Sequence, residues 1–225
     1  MVLVVGGFDQ NNTVPPDPNR VAKGVQNISQ SDTAFTATRV NQVVPELYDP
    51  VTGQPMRTTV WGYNGSYPGP TFVATKGTPN NVLFDNKLVD RRGKPLPHLL
   101  PIDTSVHWAF SHTPYTIAKN GVPVVTHLHG GHVEAASDGG PDQWYTPGFK
   151  QTGPTFEKRT FSYVNDQDAA TLWYHDHALG ITRLNAYAGL AGFYIVRDEF
   201  DTGEADNPIG LPSGEQEVAF AIQDR

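Results

Sequence analysis

The sequence predicts an all-β fold, a sandwich or a barrel, and three observations support this. Glycine and proline are frequent, at 22 and 19 of the 225 residues, which supplies many turn positions. Short runs rich in Val, Thr, Phe and Tyr alternate with Pro, Gly and Asn, the pattern of short strands joined by turns. Helical periodicity is confined to one short stretch, so the strands must carry the fold.

The elements are expected in a simple order along the chain. Residues 1–34 contain an Asn- and Pro-rich segment at 11–18 and little periodicity, which indicates an extended N-terminal arm. A single β domain is expected over 35–197, with one short helix at 181–188. The predicted strands cover residues 34–44, 56–61, 71–75, 81–84, 122–128, 158–164, 171–174 and 192–196.

A change of composition follows this domain. Residues 198–214 are rich in Pro, Gly, Asp and Glu and are predicted to form a linker. Strand-like alternation returns at 216–223, so residues 215–225 are expected to be the first strand of a second domain. The partners of that strand would lie in a missing segment or in another chain.

Composition excludes several classes of function. The formal net charge is −7 and the Lys and Arg residues are scattered, which argues against a nucleic-acid partner. No apolar run approaches the roughly 18 residues needed to span a bilayer, and the first residues lack the basic start of a signal peptide. The absence of Cys excludes disulfides, thiolate nucleophiles and any blue copper site within this chain.

Two His-x-His motifs are the strongest chemical signal in the sequence. They comprise His127 with His129 and His175 with His177. In a strand, residues i and i+2 lie on the same face about 6.6 Å apart, so each motif presents two imidazoles side by side. With eight His in the chain, about 0.3 such pairs are expected by chance. Neutral imidazoles in pairs suit copper, zinc, iron or nickel, and a metal site is therefore predicted.

A second metal-binding interpretation starts from the first motif alone. Gly121, His127, His129 and Glu134 come close to the first metal motif of the cupins, a class that includes metal-dependent dioxygenases. The second cupin motif is absent, however, and a cupin would leave the other histidine pair unexplained.

Several separate motifs in the same order resemble domain 1 of multicopper oxidases. The likeness is greatest to the bacterial spore-coat laccase group, with phenoxazinone synthase and bilirubin oxidase as relatives. It covers about residues 56–197 and returns at 211–214 and 222–225. The motifs that carry it lie at 61–65, 68–70, 127–131, 137–139, 151–154 and 172–178.

This resemblance implies a cupredoxin-like Greek-key β-sandwich and a trinuclear copper cluster shared between the first and third domains of the oxidase. His127 would then bind the type 2 copper, and His129, His175 and His177 the type 3 pair. The type 1 site and the other cluster ligands would lie in domains 2 and 3, as a second chain or a missing segment.

The implied activity is a laccase-like, copper-dependent oxidation. Phenols or aromatic amines would be oxidised in one-electron steps, and dioxygen would be reduced to water. The family suggests an extracellular, periplasmic or spore-coat location. A non-catalytic cupredoxin-like domain that binds or delivers copper is the alternative from another functional class.

Acidic residues near the motifs carry further expectations. Asp138 matches an acid near the type 2 copper of the spore-coat laccases and is a candidate for proton delivery, although a simple turn role also explains it. Asp176 alternates to the face opposite its flanking histidines and is expected to be a partner of the ligands or a surface residue. The other histidines are expected to face solvent, namely His98, His107, His112 and His132.

Overall fold

Nine strands and two short helices form the regular structure of the residues that the computed structural model describes, 25–27, 33–219 and 221–222. The helices are α1, Ile117–Asn120, and α2, Thr182–Ala188. The strands are β1 Val25–Asn27, β2 Thr33–Tyr48, β3 Pro55–Tyr63, β4 Gly69–Thr75, β5 Asn80–Asn86, β6 Thr126–His129, β7 Thr160–Tyr163, β8 Ala170–Asp176 and β9 Ala191–Arg197.

The strands form two sheets. One has five strands in the order β1-β4-β9-β8-β6, and the other has four in the order β3-β2-β5-β7. β8 pairs antiparallel with both β6 and β9, whereas β4 runs parallel to β9. Strand β6 therefore forms one edge of the five-stranded sheet, next to β8.

The all-β fold is confirmed, and each strand predicted within residues 34–197 corresponds to an observed one. The largest difference is the segment predicted at 122–128, of which only the second half belongs to β6. Val124 forms instead an isolated bridge with Tyr145. Strand β1 and helix α1 were not predicted, and most of the predicted arm at 1–34 lies outside the described residues.

The core lies between the sheets and is largely aromatic. The four-stranded sheet contributes Tyr63 and Phe84, and the five-stranded sheet contributes Phe72, Tyr174 and Tyr194, all nearly inaccessible to solvent. The ring of Tyr174 lies 5.4 Å from that of Tyr63 and 5.9 Å from that of Phe84, measured between centroids. Such rings bury large apolar areas and prefer these offset arrangements.

One hydrogen bond across the core fixes the edge strand that carries the first histidine motif. The hydroxyl groups of Tyr63 in β3 and Thr126 in β6 lie 2.8 Å apart, and both residues are buried. A buried polar pair of this kind is costly to leave unsatisfied. It therefore holds the start of β6 against the opposite sheet.

The segment after β9 folds back on the domain. Arg197 binds the carboxylates of both Asp201 and Glu217. A 3₁₀ turn occupies Gly214–Gln216, and the described residues after it, 217–219 and 221–222, form no strand. A second domain beginning at 215 remains a prediction, since the sheet that such a strand would join is not among these residues. No helix in the described ranges is long and apolar enough to cross a membrane.

The close packing of the Tyr174 ring against Gly192 of β9 can be tested by substitution. A Cβ added to Gly192 would lie 2.3 Å from the Tyr174 ring, whose hydroxyl donates to the Pro70 carbonyl and cannot easily swing away. We expect Gly192→Ala to lower the free energy of unfolding by about 1–3 kcal/mol, the usual cost of overpacking. Chemical denaturation monitored by circular dichroism measures this change.

Gly140→Ala is the matched control for this prediction. Gly140 has a negative φ, and a Cβ there would meet nothing closer than 3.5 Å. Equal stability of the two variants would show that Tyr174 is not packed tightly against β9.

Candidate metal centre

Antiparallel pairing of β6 with β8 brings the two His-x-His motifs together. In the register of the sheet, His127 lies opposite His175, and His129 lies opposite Trp173. Thr126 and Leu128 point into the core, so His127 and His129 occupy the outer face of β6. His177 follows directly after β8 ends at Asp176.

The four imidazoles form one cluster. The ring centroids of His127 and His177 lie 4.7 Å apart with nearly parallel planes. Those of His127 and His175 lie 5.6 Å apart, and those of His129 and His175 lie 5.4 Å apart. The structure thus brings together all the histidines of the two motifs.

Backbone carbonyls determine which nitrogen carries the proton in three of these rings. Nδ1 of His127 lies 2.6 Å from the Asp138 carbonyl, and Nδ1 of His177 lies 3.2 Å from the Gly139 carbonyl. Nδ1 of His175 lies 2.7 Å from the carbonyl of the next residue, Asp176. A carbonyl can only accept, so Nδ1 donates and Nε2 keeps its lone pair for a metal.

Gly139 makes this arrangement possible. Its φ is +71°, and an added Cβ would lie 2.0 Å from the Thr126 carbonyl oxygen and 2.9 Å from the Cα of His127. The turn that supplies two consecutive carbonyls therefore lies in direct contact with β6, where only glycine fits. This explains why position 139, after the first motif, is a glycine.

His129 and His175 face each other through nitrogen atoms. Nδ1 of His129 lies 3.1 Å from Nε2 of His175. For metal–nitrogen bonds of about 2.0 Å, two ligands at angles of about 90–110° are separated by about 2.8–3.3 Å. The observed separation fits two ligands of one metal ion when His129 is in the neutral tautomer that carries its proton on Nε2. Trp173 stacks on the His175 ring at 4.0 Å and limits its rotation.

Burial favours the neutral form of His175 and His177, which is the form that binds metals. Desolvation lowers the pKa of His175 to about 4, and its side chain is almost inaccessible to water. The pKa of His177 is also lowered, first by desolvation and then by the neighbouring His127.

The chemistry of the donor set fits a transition-metal ion. Its ligands are neutral imidazoles, which suit copper, zinc, iron and nickel. In the described ranges, however, no group of three or more His, Cys, Asp or Glu side chains is arranged to hold a metal ion by itself. Three of the rings donate Nδ1–H to carbonyls of their own chain, which fixes their orientation.

Asp138 lies at the edge of the cluster. Its Oδ1 atom is 3.5 Å from Nδ1 of His127, and its side chain is 42% exposed. The carboxylate therefore contacts both a candidate ligand and solvent. Its backbone also ends a 3₁₀ turn at Ala135–Ser137, so Asp138 does have the turn role that the sequence left open as an alternative.

For Asp176, the sequence predicted the correct face of the strand but did not predict burial. It lies on the face opposite the ligands, as predicted, but it is fully buried rather than at the surface. Its carboxylate accepts from the backbone N–H groups of Val125 and Ala178 and from the side chain of Asn185. Burial raises the pKa of Asp176 to about 7, partly offset by these hydrogen bonds.

His98 was expected to face solvent, and this expectation is wrong. Its ring packs edge-on against Trp61, with centroids 4.6 Å apart, and its Nε2 atom lies 2.9 Å from Asn185 Oδ1. Desolvation lowers its pKa. No local pattern in the sequence links residues 98 and 185, because their contact depends on the tertiary fold.

The remaining histidines lie apart from the cluster. His132 is exposed and faces Asp166, and the exposed rings of His107 and His112 lie next to each other, 5.0 Å between centroids. Glu134, the carboxylate that a cupin site would need, binds Lys158 and Ser137 instead. The geometry therefore does not favour the cupin interpretation.

Comparison with known proteins agrees with this geometry. The chain is 44% identical over 168 residues to a laccase of Bacillus stratosphericus and 42% identical over 168 residues to a laccase of Bacillus subtilis strain 168. Each match covers 75% of this chain and 30% of the relative, so the match spans about a third of the length of these proteins.

The fold also matches a solved structure. A bacterial laccase-like multi-copper oxidase from Ochrobactrum sp. superposes with a TM-score of 0.55 at 19% identity, covering 84% of this chain and 31% of that one. At this identity the likeness concerns the fold alone, and it supports the cupredoxin-like sandwich. The multicopper oxidase family model matches residues 48–129 and 118–201, more than half of the chain. The chain therefore belongs to the multicopper oxidase family, whose metal is copper.

Proposed function

We propose that this chain supplies half of the ligands of an oxygen-reducing trinuclear copper centre in a laccase-type oxidase. One observation carries the proposal: the in-register pairing of β6 with β8, which gathers four imidazoles on one face. Family membership supplies the metal. The remaining ligands and the type 1 site would belong to another part of the oxidase.

The ligand roles follow the resemblance and are compatible with the geometry. His127 would bind the type 2 copper, and His129, His175 and His177 the type 3 pair. The 3.1 Å separation of His129 Nδ1 and His175 Nε2 supports a shared ion for these two rings. The carbonyls of Asp138 and Gly139 hold His127 and His177 in a fixed orientation, so little reorganisation is needed when a metal binds.

Copper bound here would supply the one-electron steps by which dioxygen accepts four electrons. Phenols or aromatic amines would donate them elsewhere in the oxidase. The burial of His175 beneath Trp173 excludes water from one side of the cluster and keeps the ligand neutral.

Asp138 would deliver protons. Forming two waters from dioxygen consumes four protons, and ligating imidazoles whose Nδ1–H groups are bound to carbonyls are poor sources. A carboxylate that is 42% exposed and 3.5 Å from His127 can take a proton from solvent and pass it towards the centre.

The first prediction concerns copper binding by the 225-residue chain. We expect weak binding of Cu(II), because only half of the ligands are present, and no intense blue band, because the chain has no Cys. His127→Gln and His175→Gln should each weaken binding about tenfold or more in a calorimetric titration. His132→Gln, which alters an exposed histidine paired with Asp166, is the control and should bind as wild type does.

Three outcomes would contradict this proposal. Tight binding of three copper ions by this chain alone would show that the cluster is not shared with other domains. Equal binding by wild type and by His175→Gln would show that the cluster is not the copper site. A chain that binds copper tightly but never supports oxygen consumption together with the rest of the oxidase would favour a copper-binding domain without catalysis.

The second prediction concerns Asp138 in the complete oxidase. Asp138→Asn keeps the backbone carbonyl that orients His127 but removes the ionisable group. Oxygen consumption should fall about 100-fold, within the usual range for losing a positioned proton donor, and its pH dependence should change. Copper content and the blue type 1 band should stay nearly constant.

Asp166→Asn is the matched control, since Asp166 is exposed and faces His132 rather than the cluster. Loss of copper from Asp138→Asn would make the residue structural. Turnover equal to wild type at every pH would leave Asp138 with only its turn role.

A further inference from the structure

We propose that Asp176 and Asn185 form a positioning pair that sets the relative placement of the two histidine motifs from behind the sheet. This inference deepens the proposed function and rests on it. Neither side chain lies on the face of the sheet that carries the four histidines. Both are fully buried on the core side, and together they join β8, the segment leading into β6 and helix α2.

The Asp176 carboxylate receives hydrogen bonds from both motifs. Oδ2 accepts from the N–H of Val125, two residues before His127, at 3.0 Å. Oδ1 accepts from the N–H of Ala178, the residue after His177, at 3.0 Å. The backbone adds a further link, because the His177 N–H donates to the Val125 carbonyl at 2.8 Å. One side chain therefore connects the start of the first motif to the end of the second.

Asn185 extends this connection to α2. Its Nδ2 atom donates to Asp176 Oδ1 at 2.8 Å and to the Pro123 carbonyl at 3.1 Å. Since both amide hydrogens are used, Oδ1 must accept, and the proton between it and His98 belongs to His98 Nε2. The N–H of Leu100 donates to His98 Nδ1, which agrees with this assignment. Each hydrogen bond of this network thus has an assigned donor and acceptor.

The direction of these hydrogen bonds explains why the residue is an aspartate. Three N–H donors from three segments converge on one side chain, so the side chain must be an acceptor at both oxygens. An amide at 176 would place an NH₂ group against Val125 N–H or against Asn185. A buried mismatch of that kind would be relieved by separating β6 from the end of β8, which would displace His127 relative to His177.

The decisive experiment compares Asp176→Asn with a variant that damages a different buried network. Tyr194→Phe removes a hydroxyl bonded to Asn80 and Asn165, a cluster that bonds to neither histidine motif. Both variants should lower the melting temperature. Only Asp176→Asn should lower the Cu(II) affinity of the chain, by about 10- to 100-fold, and alter the copper hyperfine pattern in electron paramagnetic resonance.

The exchanged pair Asp176→Asn with Asn185→Asp should not restore the copper affinity. An acid at 185 would face the Pro123 carbonyl without a proton to donate, and an amide at 176 still offers one acceptor oxygen where Val125 and Ala178 need two. Should Asp176→Asn fail to fold, Asn185→Ala removes one of the three donors to Asp176 and leaves two. That variant should lose copper affinity to an intermediate degree.

The possible outcomes separate this inference from the proposed function. If His175→Gln weakens copper binding while Asp176→Asn and Asn185→Ala bind copper as tightly as Tyr194→Phe does, the positioning role is wrong and the site stands. If His175→Gln itself leaves copper binding unchanged, the proposed function fails first, and the positioning role fails with it.

Discussion

The candidate site depends on one constraint, the two-residue period of β6 and β8 in antiparallel register. Because side chains alternate across a strand, His127 and His129 lie on the outer face while Thr126 and Leu128 enter the core. A slip of one residue would turn both histidines inward. The hydrogen bond between the hydroxyl groups of Tyr63 and Thr126 opposes such a slip, since it fixes from the opposite sheet which residues of β6 face inward.

Two kinds of partner then restrict the imidazoles in different ways. The carbonyls of Asp138 and Gly139 select the Nδ1-protonated form of His127 and His177, and Trp173 limits rotation of His175 by stacking. The two carbonyls come from a turn that only glycine can bring so close to β6, whereas Trp173 belongs to β8 itself. The orientation of the rings therefore depends on backbone and aromatic contacts as well as on the histidines.

The sequence predicted what depends on local pattern. The runs of β-branched and aromatic residues located the strands, and the spacing of His175 and His177 located the second motif, because both follow from a period of two. It did not predict the contact of His98 with Asn185, which joins positions 87 residues apart. Nor could it show that Asp176 is buried, since alternation assigns a face of the strand but not what packs against that face.

The contacts behind the rings also determine which atoms the cluster presents. His127, His175 and His177 each donate Nδ1–H to a carbonyl of this chain, which leaves the Nε2 lone pair of each ring available. In the described part of the chain, no three such side chains are arranged to hold a metal ion by themselves. Under the proposed function, rings whose orientation is fixed in this way would suit one side of a multinuclear centre completed from another part of the oxidase.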